Sequence, residues 1–237
     1  MIFFLVLQMV LMSAPSVAAE ENEEQESSVS KEDSRKSRTT RLMNITGDSD
    51  FADDRSAWDR TYNRKDYVYG KEPAPFLVRY VDKLPKGRAL DIAMGEGRNA
   101  VYLAKKGFQV EGVDISDVGI RKALKLSAEN GVKIKTMNAD LNKYRIRPNA
   151  YSVILNFYYL QKSLFPQIIA GLKKGGVLVF EANTLDHLKT STGKEFEREY
   201  LLESGELKKA FAELEILHYA ETNDGKSAVA SLIARKK

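Results

Sequence analysis

The chain has 237 residues, enough for one full-sized domain with a substantial core plus additional segments. Its net charge of +4 and pI near 9.0 are mildly basic, with Lys and Arg spread as on solvated helix faces, so no nucleic-acid partner is expected. There is no cysteine and there are two histidines; disulfides, cysteine nucleophiles and thiolate metal sites are excluded, and no metal centre is expected.

Residues 2–12 are nearly continuous apolar sequence followed by small residues, with Ser16 and Ala18 matching an A-x-A-like cleavage site. Residues 1–19 therefore read as an export signal or, although short for a bilayer, as a membrane tether, the one expected route to membrane contact. No Lys or Arg precedes the apolar run, and Met43 is an alternative start that would leave the domain cytoplasmic. Residues 20–50 change from acidic to basic with almost no large apolar side chains. Such a stretch cannot bury enough surface to offset its ordering entropy, and reads as a disordered linker before a folded domain at 51–237.

Trp58, Tyr62, Tyr67 and Tyr69 crowd into one stretch ended by Gly70 and Glu72-Pro73-Ala74-Pro75. These rings could form a lid over a ligand or anchor the N-terminal segment; with Arg60, Arg64 and Lys65 they could also make a nucleic-acid surface. A helix over 76–81 follows, with Pro73 or Pro75 at its start. The chain then alternates: strand 88–93, helix 99–106 stopped by Gly107, strand 108–113, helix to 128 capped by Ser116 or Asp117, strand 132–137, strand 151–157, helix 164–172. Lys173-Lys174-Gly175-Gly176 reads as a turn, 177–181 as a strand and 205–212 as a short helix. Two last strands, 214–219 and 228–234, are joined across Asn223-Asp224-Gly225 as a hairpin. The pattern predicts an α/β, Rossmann-like, doubly wound seven-stranded sheet, mostly parallel with an antiparallel C-terminal hairpin.

The chemistry concentrates at Leu90-Asp91-Ile92-Ala93-Met94-Gly95-Glu96-Gly97-Arg98-Asn99-Ala100, where an apolar run ends in a carboxylate and a glycine turn opens a helix. Gly95-x-Gly97-x-x-Ala100 also fits the loose dinucleotide fingerprint, but a pyrophosphate on that turn would be repelled by Asp91 and Glu96. A ligand presenting an ammonium and a sulfonium would be attracted, and S-adenosylmethionine is such a ligand. Asp114 and Asp140 close two later runs, placed for ribose hydroxyls and for the vicinity of an adenine.

The motifs Trp58-Asp59-x-x-Tyr62, Tyr67-x-Tyr69-Gly70-x-Glu72-Pro73, the glycine turn, Val113-Asp114-Ile115-Ser116 and Leu172-Lys173-Lys174-Gly175-Gly176 resemble class I S-adenosylmethionine-dependent methyltransferases, closest to the tellurite-resistance and thiopurine branch. The resemblance spans about residues 58–237. It implies S-adenosylmethionine as cofactor, with Asp91, Gly95, Gly97, Asp114, Ile115, Asp140, Leu141 and Asn156 as binding residues. The family usually has Gly and Cys where Ala93 and Met94 stand; both replacements keep the turn small and apolar, and they read as tolerated. The reversed last strand of that fold matches the C-terminal hairpin.

Methyl transfer from a sulfonium needs alignment and partial desolvation more than acid–base groups, so the acceptor is hard to read. Without cysteine, cysteine-dependent routes are closed. Asn156-Phe157-Tyr158-Tyr159 lacks the prolines of amino-methylating enzymes, which argues against nucleobase amines. A small molecule is expected, a thiol or a chalcogen oxyanion such as selenite or tellurite. His187, Tyr158 and Arg98 are the candidates for acceptor contact or catalysis; His218, on the parity of Leu214 and Ile216, reads as packed. Two other classes remain open from the sequence: a nicotinamide-dependent oxidoreductase and a non-catalytic S-adenosylmethionine-binding protein.

Overall fold

The computed structural model describes residues 47–194 and 196–237, and for 47–53 the backbone alone. The expected signal or tether at 1–19 and the linker to residue 46 lie outside the described residues. Among those described, no helix is long and apolar enough to cross a membrane.

Helix α1 (Gly47–Tyr62) and the short α2 (Pro75–Tyr80) precede the sheet. Then come β1 (Arg88–Ile92), α3 (Arg98–Lys105), β2 (Gln109–Asp114), α4 (Asp117–Glu129), β3 (Lys135–Asn138) and β4 (Tyr151–Phe157). The chain closes with α5 (Phe165–Gly171), β5 (Leu172–Asn183), α6 (Glu206–Ala210), β6 (Glu215–Asn223) and β7 (Ala228–Arg235). The sheet order is β3-β2-β1-β4-β5-β7-β6. Strands β1 to β5 pair in parallel, while β7 runs antiparallel to both β5 and β6.

Alternation along the strands sends side chains to two cores. Ala89, Val110, Val153, Leu155, Val179 and Ile233 face α2, α3 and α4. Leu90, Ile92, Ile154, Leu178, Phe180 and Leu232 face α5 and α6, where Phe165, Phe180 and Phe211 form a ring cluster with centroids 5.0–5.9 Å apart. Both faces are covered, which is why the central strands are apolar throughout. The β1→β4 step leaves a crevice at the carboxyl ends of the strands, the usual ligand position in an open α/β sheet.

Four local expectations need correction. Helix α1 is absent from the predicted elements, and its first residues fall in the stretch assigned to the linker; it is held by its C-terminal half, where Ala57, Thr61 and Tyr62 are buried. Strand β3 is shorter and later than 132–137, pairing with β2 only from Lys135. Lys173–Gly176 is looped out between the pairs Tyr151↔Leu172 and Val153↔Val177, so the expected turn exists as a bulge inside β5. A second bulge, between Ile216 and His218, breaks the parity assumed for His218. His218 therefore faces α2, 5.7 Å from the Phe76 ring and 5.2 Å from that of Tyr80, while Ile216 packs on the opposite core.

Candidate functional site

The turn after β1 is a tight backbone cradle. Ala93, Gly95 and Gly97 all have left-handed φ, at 51°, 56° and 83°. Ala93 shows that size alone was the wrong criterion at this position: a side chain in this conformation costs roughly 1–2 kcal/mol. Met94 is accommodated differently. A Cβ on Gly112 would lie 2.0 Å from its sulfur, so the thioether fills the space that Gly112 leaves open on β2.

Helix α3 has no side-chain cap at Gly97. Its N-terminal donors are met instead by Asp91 at the end of β1, which accepts a hydrogen bond from the backbone of Ala100. Asp91 is 2% exposed, and its Oδ2 has no hydrogen-bond partner among the described residues. Burial first, then the neighbouring charge of Asp114, pushes its pKa up to about 7, against the pull of Arg98 and the Ala100 amide. Asp114 is equally enclosed. Its Oδ2 accepts from Gly95 N–H at 2.7 Å and its Oδ1 from Ser116 N–H at 2.8 Å, tying β2 to the turn. Burial raises it to about 6 against those backbone donors. The Ile115 N–H is a further backbone donor to this carboxylate, so the acceptor capacity left to it is small.

Glu96 corrects the electrostatic reading of the turn. It is turned away from the crevice, accepting from Val68 N–H at 2.7 Å and pairing with Lys122 Nζ at 2.5 Å. The turn's uncompensated negative charge thus comes from Asp91 and Asp114 alone. Asp140 follows β3, adjacent to β2, so the three aspartates share the carboxyl edge of neighbouring strands. Its side chain accepts from Asn142 N–H at 2.8 Å and braces the next turn. Burial, and then the charges of Asp140 and Asp114, raise the pKa of Tyr159. Leu141 is buried in the α5/α6 core and Ile115 accepts from Asn138 through its carbonyl. Asn156, buried at the end of β4, donates to Tyr159 O at 2.6 Å and fixes the backbone there.

The N-terminal aromatics close over this edge. Trp58 and Tyr62 stack at 5.5 Å, and Tyr62 meets Tyr69 edge-on at 6.5 Å. Tyr62 wedges between two glycines: a Cβ on Gly95 would be 2.7 Å from its Oη, and one on Gly119 would be 3.1 Å from its ring. The same helix is anchored by Asp59, which accepts from Ser116 Oγ at 2.6 Å and Val118 N–H at 3.0 Å at the start of α4. Ser116, not Asp117, caps that helix, accepting from Gly119 N–H at 3.0 Å. Asp59 and Tyr62 thus anchor the aromatic stretch on the turn and on α4.

Arg98 does more than decorate the start of α3. It donates to Tyr69 O at 3.1 Å, and its charge is felt by Asp91, Tyr62, Tyr69 and Tyr158. Tyr158 has left-handed φ, 56°, and packs with Trp58, Tyr69, Leu185 and Leu188 around Phe196 and Leu201. His187 is buried rather than exposed. Its Nδ1 accepts from Ala228 N–H at 3.3 Å, its ring stands 4.7 Å from Phe196, and burial lowers its pKa. It joins the segment after β5 to the start of β7. Sequence reasoning did not single out Glu181 and Ser231; neither lies in a glycine or spacing motif that would mark it.

A seven-stranded sheet with one reversed strand, a glycine turn after its first strand and buried aspartates at the ends of its first two define a class I S-adenosylmethionine-dependent methyltransferase domain. The family profile described as "Tellurite resistance protein TehB" matches residues 59–227, and the chain belongs to that family. A probable S-adenosyl-L-methionine-dependent methyltransferase TehB from Haemophilus influenzae is 27% identical over 169 residues, covering 63% of this chain and 57% of that protein. Hemagglutinin 1 of Eikenella corrodens is 26% identical over 145 residues, covering 56% of this chain and 46% of its own length. The chain thus spans about half the length of the curated relatives it matches. Among solved structures, TehB from H. influenzae superposes with a TM-score of 0.61 at 21% identity, over 77% of this chain and 67% of that one. Geranyl diphosphate C-methyltransferase from Streptomyces coelicolor A3(2), solved with S-adenosyl-L-homocysteine, gives 0.56 at 15% identity, over 68% and 79%. These two likenesses are likenesses of fold.

Proposed function

We propose that this chain transfers the methyl group of S-adenosylmethionine to a small-molecule acceptor through a soft nucleophile, a thiol or a chalcogen oxyanion. The observation that carries the reading is the buried Oδ2 of Asp91, without a partner and beside a second buried carboxylate. A buried acceptor left unpaired costs roughly 1–3 kcal/mol, more if charged, and a cationic ligand removes that cost. A pyrophosphate in the same place would add negative charge beside a carboxylate whose pKa burial and Asp114 already raise.

In this reading Asp91 receives the cofactor's ammonium group, and the Gly95 and Gly97 backbone lets the ligand approach. Asp114, held by the backbone of Gly95, Ile115 and Ser116, accepts from the ribose through the acceptor capacity those donors leave. Asp140 and Leu141 flank the adenine, and Asn156 holds the β4 end in shape. Bound there, the cofactor supplies a methyl group on a positively charged sulfur. The enclosing Trp58, Tyr62 and Tyr69 rings exclude water from a transfer that neutralises this charge. Equilibrium dialysis against labelled S-adenosylmethionine and NADH is expected to retain only the former; retention of NADH alone would sink the reading. Formation of S-adenosylhomocysteine with a panel of thiols, selenite and tellurite then tests the acceptor, and cofactor binding with no transfer to any of them would leave a binding protein rather than an enzyme.

A further inference from the structure

Next to the aspartate pair, on the same face of the sheet, lies a second buried carboxylate system that cofactor binding leaves unused. Glu181 on β5 is 7% exposed. Its Oε1 accepts from Tyr158 Oη at 2.8 Å and its Oε2 from Ser231 Oγ at 2.7 Å. Ser231 is its register partner on the reversed strand β7. No ion pair among the described residues includes Glu181, so two hydroxyls are all that hold this buried carboxylate. Tyr158 is fixed from both ends, since its own N–H donates to Glu181 O at 2.7 Å. That clamp keeps a non-glycine residue at φ 56°, a conformation that persists only where the surroundings enforce it. Glu181 is buried and Tyr158 only partly so. The tyrosine is therefore the outward end of a two-residue chain whose inner end is a carboxylate. It belongs to an apolar cluster in which Trp58, Tyr69, Leu185 and Leu188, like Tyr158 itself, pack against Phe196 and Leu201.

Resting on the methyl-transfer reading above, we propose that Tyr158 and Glu181 form a proton relay, and that the acceptor is therefore a neutral thiol on an apolar body rather than a chalcogen oxyanion. Tyr158 Oη already donates to Glu181, so its lone pairs are free to accept from an incoming S–H. The acceptor's S–H bond breaks, its proton passing to Tyr158 Oη as the Tyr158 proton passes to Glu181 Oε1. The pair left on the acceptor sulfur forms the bond to the methyl carbon. The carbon's bond to the donor sulfur breaks with its pair left on that sulfur, and Glu181 later returns its proton to solvent. Burial and the Glu181 charge hold the Tyr158 phenol protonated, so the two proton shifts occur together and no phenolate accumulates. In an oxyanion the chalcogen that would take the methyl group carries a lone pair and no proton, and the negative charge would meet a buried carboxylate behind the tyrosine. Arg98 and Asp224 are the other charges acting on Tyr158, with opposite signs.

The test compares the full-length wild-type protein with Glu181→Gln and Tyr158→Phe, each first assayed by calorimetry for S-adenosylmethionine affinity. We expect affinity within about threefold of wild type. Methylation of neutral thiols such as benzyl mercaptan is expected to fall at least 30-fold in both variants. With thionitrobenzoate, a thiolate at neutral pH, the loss is expected to shrink below threefold. A second readout is independent of turnover: with ring-carbon-labelled tyrosine, the Tyr158 resonance at neutral pH should shift in Glu181→Gln as its hydrogen-bond acceptor loses its charge. A rate loss that ignores thiol acidity, a Tyr158 resonance unmoved by Glu181→Gln, or a wild-type protein that binds cofactor yet methylates only tellurite or selenite would each overturn the relay. Failure of the wild-type protein to bind S-adenosylmethionine would instead bring down the methyl-transfer reading, and the relay with it.

Discussion

The two halves of the carboxyl edge are built in different ways. In the β1–β2 half, carboxylates are held by backbone amides: Asp114 by Gly95, Ile115 and Ser116, Asp91 by Ala100. In the β4–β5–β7 half, a carboxylate is held by side chains, Tyr158 and Ser231. Backbone donors cannot be mutated away and require only a turn of the right shape, so that half is rigid and leaves glycines as its mark. Hydroxyl donors are replaceable one at a time, so that half can change its acceptor without rebuilding the fold.

The comparison is most exposed at Asp114. Asp114→Ala takes the acceptor away from the backbone N–H groups of Gly95, Ile115 and Ser116, and should cost roughly 2–4 kcal/mol in urea unfolding. In calorimetry it should also weaken S-adenosylmethionine binding by roughly 1–3 kcal/mol. Unchanged stability would mean that the turn does not depend on that carboxylate. Gly112→Ala should cost roughly 1–3 kcal/mol, because its Cβ would lie 2.0 Å from the Met94 sulfur. Adding Met94→Ala should recover part of that loss in the same unfolding assay; no recovery would place the strain elsewhere.

Asp91 gives a pH signature whose sign is the reverse of an ordinary paired aspartate. Its pKa rises from 3.8 to about 7 on folding, so the folded state holds the proton more tightly. Stability of the ligand-free protein is full below about pH 4 as far as this group is concerned, and declines as pH rises through about 7. Asp91→Asn should flatten that slope, leaving the ligand-free protein more stable at pH 8 by roughly 1–2 kcal/mol. In wild type, a bound ammonium favours the charged form, so cofactor binding near pH 6.5 should release protons to the buffer. Calorimetry in buffers of different ionisation enthalpy checks this, and proton uptake would contradict the cation assignment. The smallest effect is a gain: Ala93→Gly relieves the left-handed strain at some entropic cost, for a net stabilisation of about 0.5–1 kcal/mol in urea unfolding. A loss there would mean that Ala93 contributes packing that outweighs its φ.

Much of the fold was open to reading because its signals are local. Gly107, Ser116, Asn130-Gly131 and the apolar runs mark where helices and strands begin and end, and the hairpin turn at Asn223-Asp224-Gly225 marks the reversal. Helix α1 was hidden because its first half is polar and its stability comes from Trp58, Tyr62 and Asp59 docking on the turn and α4, contacts made across 57–59 residues at Asp59. The bulge at Ile216 and His218 was hidden for a related reason: register is set by the partner strand, and one extra residue sends every later side chain to the other face. Glu96 reads as part of an acidic turn in one dimension, and only Lys122 and Val68 reveal where its charge goes.

The sequence by itself determined the strand–helix alternation, the glycine turn and the two aspartates beside it. Each depends on neighbouring residues and on backbone geometry, which a short stretch of chain specifies alone. The tertiary structure decided which carboxylates stay uncompensated, that the aromatic arm covers the turn, and that Tyr158, Glu181 and Ser231 meet. Those outcomes join groups 23 and 50 residues apart through pairing with a reversed strand, and a side chain's charge balance is set by whatever folding brings beside it.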